Sequence, residues 1–342
     1  MVFEKTPDDV TQLLPIPIKN LGLKLEGSPI ERYVEQLFKE LDAKGIEHFR
    51  PAFYLTSEWG CPSEEPVIGV PFYLADRRLG AIESLVNDIE DEREIMMYMR
   101  HEAGHAFNYA YELYKTDEWR DTFGPFRRPY RDHYRFVPFS RNYVRHIAGW
   151  YAQKHPDEDF AETFAVWITP RSKWREKYKN WPAMKKLRYV ERIGHEVGSQ
   201  PPLRPLGQTD FTVEDMEETI EDFYRASTRD DSESIADLAL DVDLDDIFLA
   251  PEDVQPDRAR KASEVLLEHR KDIVDKVSYW TGVRRPLVKA LVEAIATKVD
   301  ELGLVVDKSR EGEQIVEIVV YTTTLASNFF SRRRFPRRGA GK

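Results

Sequence analysis

A His-Glu-Ala-Gly-His run at residues 101–105 constrains this chain more than any other feature. On an α-helix, residues i and i+4 lie one above the other on the same face, so the imidazoles of His101 and His105 aim at one spot. Neutral imidazole suits a borderline-soft cation such as zinc, and two of them leave the ion needing a third protein ligand. Glu102 lies about 100° further round the helix. From there it reaches the ion poorly but can hold a water beside it, the arrangement in which a glutamate serves as general base. A helix is expected here from about Asp91 to Tyr114, because Ile95, Met96, Tyr98, Met99, Ala103, Ala106, Phe107 and Ala110 recur at helical spacing. The plainer reading of the run is a helix that carries two exposed histidines.

A third ligand is offered by Asp157-Glu158-Asp159-Phe160-Ala161-Glu162, which begins a helix near Pro156 that runs to about Ile168 and breaks at Pro170. Early acids suit the positive end of a helix dipole. Glu158 and Glu162 are again i and i+4, so both face one side.

An HExxH run followed by a glutamate on a separate helix resembles the gluzincin metallopeptidases. The Glu-Asp-Phe-Ala-Glu segment is similar to the third-ligand helix of the anthrax lethal factor type. The whole stretch from His155 to Trp167 resembles the family of putative zinc-binding metallopeptidases, and the resemblance covers roughly Phe49 to Trp167. It implies that Glu158 binds the ion and that Glu162, one turn on, accepts a hydrogen bond from a ligand histidine. The reverse assignment, with Glu162 on the ion, stays open. It also implies a catalytic tyrosine at the position of Tyr151, seven residues before Glu158, to steady a developing oxyanion. Packing beside Trp150 is the other reading of Tyr151, and His146 and His155 are further candidates for the donor. One departure is the gap of 53 residues between His105 and Glu158, which is long for this pattern. The insertion is expected to fold over or beside the cleft.

Within it, Arg127, Arg128, Arg131, Arg135, Arg141 and Arg145 alternate with Phe126, Tyr130, Tyr134, Phe136 and Phe139. They could form a cleft wall for an acidic or C-terminal carboxylate group of a peptide, or pair with acids elsewhere. Cys61, in a turn near the strand expected to flank the cleft, reads as a packed small residue.

Around this core, Ser28-Pro29-Ile30-Glu31 reads as a capping box that starts a helix stopped near Gly45. Runs at His48–Trp59 and Val67–Ala75 read as strands, antiparallel across the Gly60-Cys61-Pro62 turn. The second, with Pro71, reads as an edge or bulged strand to which an extended peptide could add. Pro201-Pro202-Leu203-Arg204-Pro205 looks like a boundary. The expected organisation is therefore a zincin-like domain at 1–200 and an acidic helical linker at 201–255, the latter including an amphipathic helix over Thr212–Ala226. A small module follows at 256–330, with two helices and a hairpin of Leu304–Val306 against Ile315–Leu325. A basic, disordered tail at 331–342 ends the chain.

The formal charge of −11 argues against nucleic acid as the main partner. A single cysteine excludes a disulfide framework and fits a reducing compartment. With no signal-like N-terminus and no apolar run of ~18 residues, a cytoplasmic protein without a membrane span is expected. The fold class is α+β, a small sheet over the active-site helix plus a helical half. The expected function is a Zn2+-dependent hydrolase that cleaves peptide bonds in a peptide or protein substrate. Two alternatives stand beside it. One is a metal-containing scaffold that binds a protein partner through the acidic region 230–253, and the other is an amidohydrolase acting on a small-molecule amide. Glu102 and the presence of only three obvious ligands favour catalysis, since a structural zinc normally takes four.

Overall fold

The computed structural model describes residues 8–131, 134–235 and 243–332. The chain divides into two compact units, residues 1–85 with 89–221 and residues 86–88 with 222–342. Both mix helices with a two-stranded sheet, giving the expected α+β class.

In the first unit, α1 (Glu31–Asp42) begins later than the Ser28 capping box predicts. Ser28 Oγ donates back to the Leu25 carbonyl (2.6 Å), and the Glu31 carboxylate accepts from the Gly27 amide (2.8 Å), so the motif forms a turn ahead of the helix. Two strands follow, β1 (Ala52–Thr56) and β2 (Val67–Pro71). They pair in parallel, from Ala52 opposite Val67 to Thr56 opposite Pro71, which corrects the antiparallel expectation. The Gly60 turn does not close a hairpin. Residues 57–66 can span roughly 33 Å at about 3.3 Å per residue, enough to carry the chain back past a five-residue strand. On the way, Gly60 exchanges both backbone hydrogen bonds with Gly69 (3.3 and 2.7 Å). All five residues of β2 are buried. The strand that the sequence offers to an extended peptide is thus already engaged by the chain itself at Gly69. Gly69 is required by space, since a Cβ there would lie 2.7 Å from Thr56 Cγ2.

Helix α2 (Glu92–Ala110) carries the HExxH run. Asp91 caps it by accepting from the Arg93 and Glu94 amides (both 2.9 Å), while the Glu94 carboxylate accepts from the Asp91 amide (3.0 Å). Helix α3 (Pro156–Ile168) follows the predicted bounds, and every one of its residues is buried. It packs against both α2 and α4 (Met184–Gly198). Its apolar residues Phe160, Phe164, Trp167 and Ile168 each contribute on the order of 1.5–3 kcal/mol by burial. The same helix buries Asp157, Glu158, Asp159 and Glu162, and buried carboxylates need partners. Asp159 finds one in Lys186 Nζ at 2.6 Å, although burial still pushes its carboxyl up to about 7. The other three converge on the histidines.

Over Thr212–Ala226 the backbone turns at Val213–Asp215 and becomes α-helical only from Ile220. In the second unit, β3 (Ala259–Lys261) leads into α5 (Ala262–Glu268), α6 (Arg270–Thr281) and α7 (Arg285–Glu301). Strand β4 (Val305–Asp307) and α8 (Glu311–Arg332) complete it. The hairpin expected at Leu304–Leu325 is corrected. Val305 and Val306 pair antiparallel with Lys261 and Arg260, and Ile315–Leu325 is helical. The β-branched run looks strand-like, but Gln314, Ile318, Thr322, Leu325 and Ala326 are buried while Val316 and Val320 are exposed. That is a helical period, and the gain from packing one face against the core overrides intrinsic strand preference. The acidic run 230–253 lies partly outside the described residues; of the tail expected at 331–342, residues 331–332 belong to α8, which corrects the expected disorder there, and 333–342 lie outside the described residues. Among the described residues, no helix is long and apolar enough to cross a membrane.

Candidate metal centre

Helices α2 and α3 meet where Gly104 faces Ala161, and Phe107 stacks on Phe164 with ring centroids 4.9 Å apart. This contact sets the acids of α3 against the imidazoles of α2. His101 Nε2 lies 2.9 Å and His105 Nε2 3.2 Å from Glu158 Oε2, and the two Nε2 atoms are 3.1 Å apart. The opposite ring nitrogens are held from behind. His101 Nδ1–H donates to Glu162 Oε1 (3.0 Å), and His105 Nδ1–H donates to Asp157 Oδ2 (2.8 Å), tautomers assigned from their carboxylate partners. Each anchoring carboxylate is itself fixed. Glu162 accepts from the His146 and Ile147 amides (3.1 and 3.0 Å), and Asp157 accepts from Asn108 Nδ2 (2.8 Å) and the Tyr109 hydroxyl (2.6 Å).

The donor set can be tested against a metal directly. With both Nδ1–H groups committed to carboxylates, two imidazole lone pairs and a carboxylate oxygen point at one another in a buried triangle. Such a triangle is repulsive unless a positive charge sits among its corners. A tetrahedral zinc shell with ligands at about 2.0–2.2 Å has edges of roughly 3.3–3.6 Å, a few tenths longer than the edges here. Zinc therefore fits His101, His105 and Glu158, the group of described residues able to hold a metal ion. The titration behaviour has the same cause. Burial alone would lower both imidazoles, but hydrogen bonds to Glu158 and Glu162 raise His101 to about 9. His105 is raised well above its ordinary value by Asp157 and Glu158.

Glu102 is buried beside this triangle, and its carboxylate makes no hydrogen bond among the described residues. Burial pushes its carboxyl up, against the downward pull of the two imidazoles. Tyr151 stands with its ring 5.5 Å from that of His101 and its hydroxyl 3.5 Å from the hydroxyl of Tyr130. His146 and His155 have other occupations. His146 Nε2–H donates to the Met97 carbonyl (2.9 Å), and His155 caps α3, its Nδ1 accepting from the Asp157 amide (3.2 Å).

Of the insertion arginines, Arg127 pairs with Glu64 (2.8 Å), and Arg145 and Arg141 stack on Trp150 and Trp181 (4.2 and 5.9 Å). The Arg127 contact is the pairing with an acid that the sequence offers, the other two are ring contacts, and Arg128, Arg131 and Arg135 are exposed. Cys61 is a free cysteine that donates to the Glu65 carbonyl (3.2 Å), and burial holds its thiol well above its ordinary pKa.

Sequence reasoning missed Asp157 and Tyr130. Asp157 reads as one more acid in a first turn, and its signal is its pairing in space with Asn108 and Tyr109. Tyr130, whose hydroxyl donates to Glu158 Oε1, sits in an irregular segment that offers no period to read.

No curated protein and no solved structure matches the chain. Residues 83–178, which include the HExxH helix and the acidic helix that completes the cluster, match the profile of the family described as putative zinc-binding metallo-peptidase, in agreement with the resemblance seen in the sequence.

Proposed function

We propose that the first unit is a zinc-dependent peptidase of the gluzincin type. The observation that supports it most is the buried triangle of His101 Nε2, His105 Nε2 and Glu158 Oε2 with Glu102 alongside. Zinc, when bound, supplies Lewis acidity and lowers the pKa of water toward ~7. Three protein ligands leave a position open, as catalysis requires. Glu102 takes the proton of the attacking water on its carboxylate and passes it to the leaving amine. Burial serves that role, since a raised carboxyl pKa makes the carboxylate a stronger base toward the water proton. Glu162 and Asp157 hold the two Nδ1 protons, fixing ring aim and raising the basicity of Nε2. Tyr151 donates its hydroxyl to the developing oxyanion.

The reading carries further assignments. The hydrolase occupies the zincin-like domain at 1–200, with 201–255 as an acidic linker and 256–330 as a separate helical module. The acidic run 230–253 is offered to a basic protein partner on its charge alone. A lone cysteine suits work in the cytoplasm.

The test is hydrolysis of a mixed peptide library by the full chain. Activity is expected to vanish with a zinc chelator and return on adding Zn2+. Hydrolysis that ignores the chelator overturns the proposal.

A further inference from the structure

We propose that Tyr130 is a positioning residue that fixes how Glu158 presents its carboxylate to the ion, a proposal that rests on the zinc site described above. Glu158 Oε2 faces both Nε2 atoms, while Oε1 accepts the Tyr130 hydroxyl. That division matters because a carboxylate can grip a cation with one oxygen or with both. Holding Oε1 away keeps Glu158 on a single oxygen. Released, Oε1 swings toward the ion and fills the position that hydrolysis needs open.

The insertion is anchored to deliver this hydroxyl. His155, the residue that caps α3, donates from Nε2–H to the Arg128 carbonyl (2.8 Å) and sets its ring 5.3 Å from the ring of Tyr130. One side chain thereby starts the helix that carries Glu158 and tethers the insertion two residues before Tyr130. Lys154 Nζ lies over the Tyr130 ring at 4.3 Å, within cation–π range. Tyr130 is still 53% exposed, so removing its hydroxyl oxygen opens no core cavity.

The experiment uses the full chain as wild type, Tyr130→Phe and Glu158→Gln. Zn2+ affinity is measured by competition with a chromophoric chelator, and the visible spectrum is recorded with Co2+ in its place. Metal-free thermal unfolding reports folding. Tyr130→Phe is expected to unfold at the wild-type temperature, to keep binding Zn2+, and to show cobalt bands about twofold weaker or more as the coordination number rises. A wild-type cobalt spectrum in Tyr130→Phe, alongside lost binding in Glu158→Gln, overturns the role of Tyr130 and leaves the zinc site standing. Wild-type binding in Glu158→Gln removes the zinc site itself.

Discussion

Gly104 lies so close to Ala161 that a Cβ built on it would stand 2.8 Å from the Ala161 Cα and 3.0 Å from its carbonyl oxygen. Glycine is therefore the residue that lets α2 and α3 meet backbone to backbone, and that approach brings Glu158 to the two imidazoles. Gly104→Ala should force the helices apart. The expected result is a loss of about 1–3 kcal/mol of stability, as for other overpacked sites, with weaker zinc binding. Chemical unfolding and a zinc titration check it, and a variant equal to wild type in both contradicts it.

Glu158 and Glu162 both touch His101, but on opposite ring nitrogens. Glu158→Ala removes a corner of the triangle, whereas Glu162→Ala removes only the acceptor behind His101. Zinc affinity should fall further in Glu158→Ala, with Glu162→Ala losing about 10–100-fold. Chelator competition on the two variants ranks them, and the opposite ranking exchanges their roles.

Asp157 accepts from His105, Asn108 and Tyr109 at once. Asp157→Asn keeps the shape but loses the charge that favours His105 with its proton on Nδ1. A fall of about tenfold or more in zinc affinity is expected. Unchanged affinity in the same titration means that Asp157 only packs.

Zinc binding should strengthen as pH rises. In the metal-free protein His101 is pushed up to about 9 and His105 is raised as well, so below that pH the metal must displace protons. Apparent affinity should climb from pH 6 through about 9, with protons released on binding. Calorimetric titrations in buffers of different ionisation enthalpy measure that release, and a pH-independent affinity without proton release contradicts the expectation.

The part of the site written as a period was legible in the sequence. His101 with His105 and Glu158 with Glu162 are i,i+4 pairs, and the bounds of α3 follow from Pro156 and Pro170. What depends on distant packing was not. Asp157 looks like a helix-dipole acid until α2 brings Asn108 and Tyr109 against it. Tyr130 is placed by a tether from His155 that no local pattern encodes. The parallel pairing of β1 with β2 was hidden because a glycine turn suggests a hairpin, whereas the ten-residue return decides the direction. The helix at Ile315–Leu325 was hidden because β-branched residues also pack well on a helix face when a core is there to receive them.

The most direct test of the central claim compares Glu102→Gln with wild type for zinc content and peptide turnover in the same preparation. Glu102 is read as the base and not as a ligand. The variant should hold zinc as wild type does and lose about 10²–10⁴-fold in turnover. Full turnover, or a variant that no longer takes up zinc, would contradict the account.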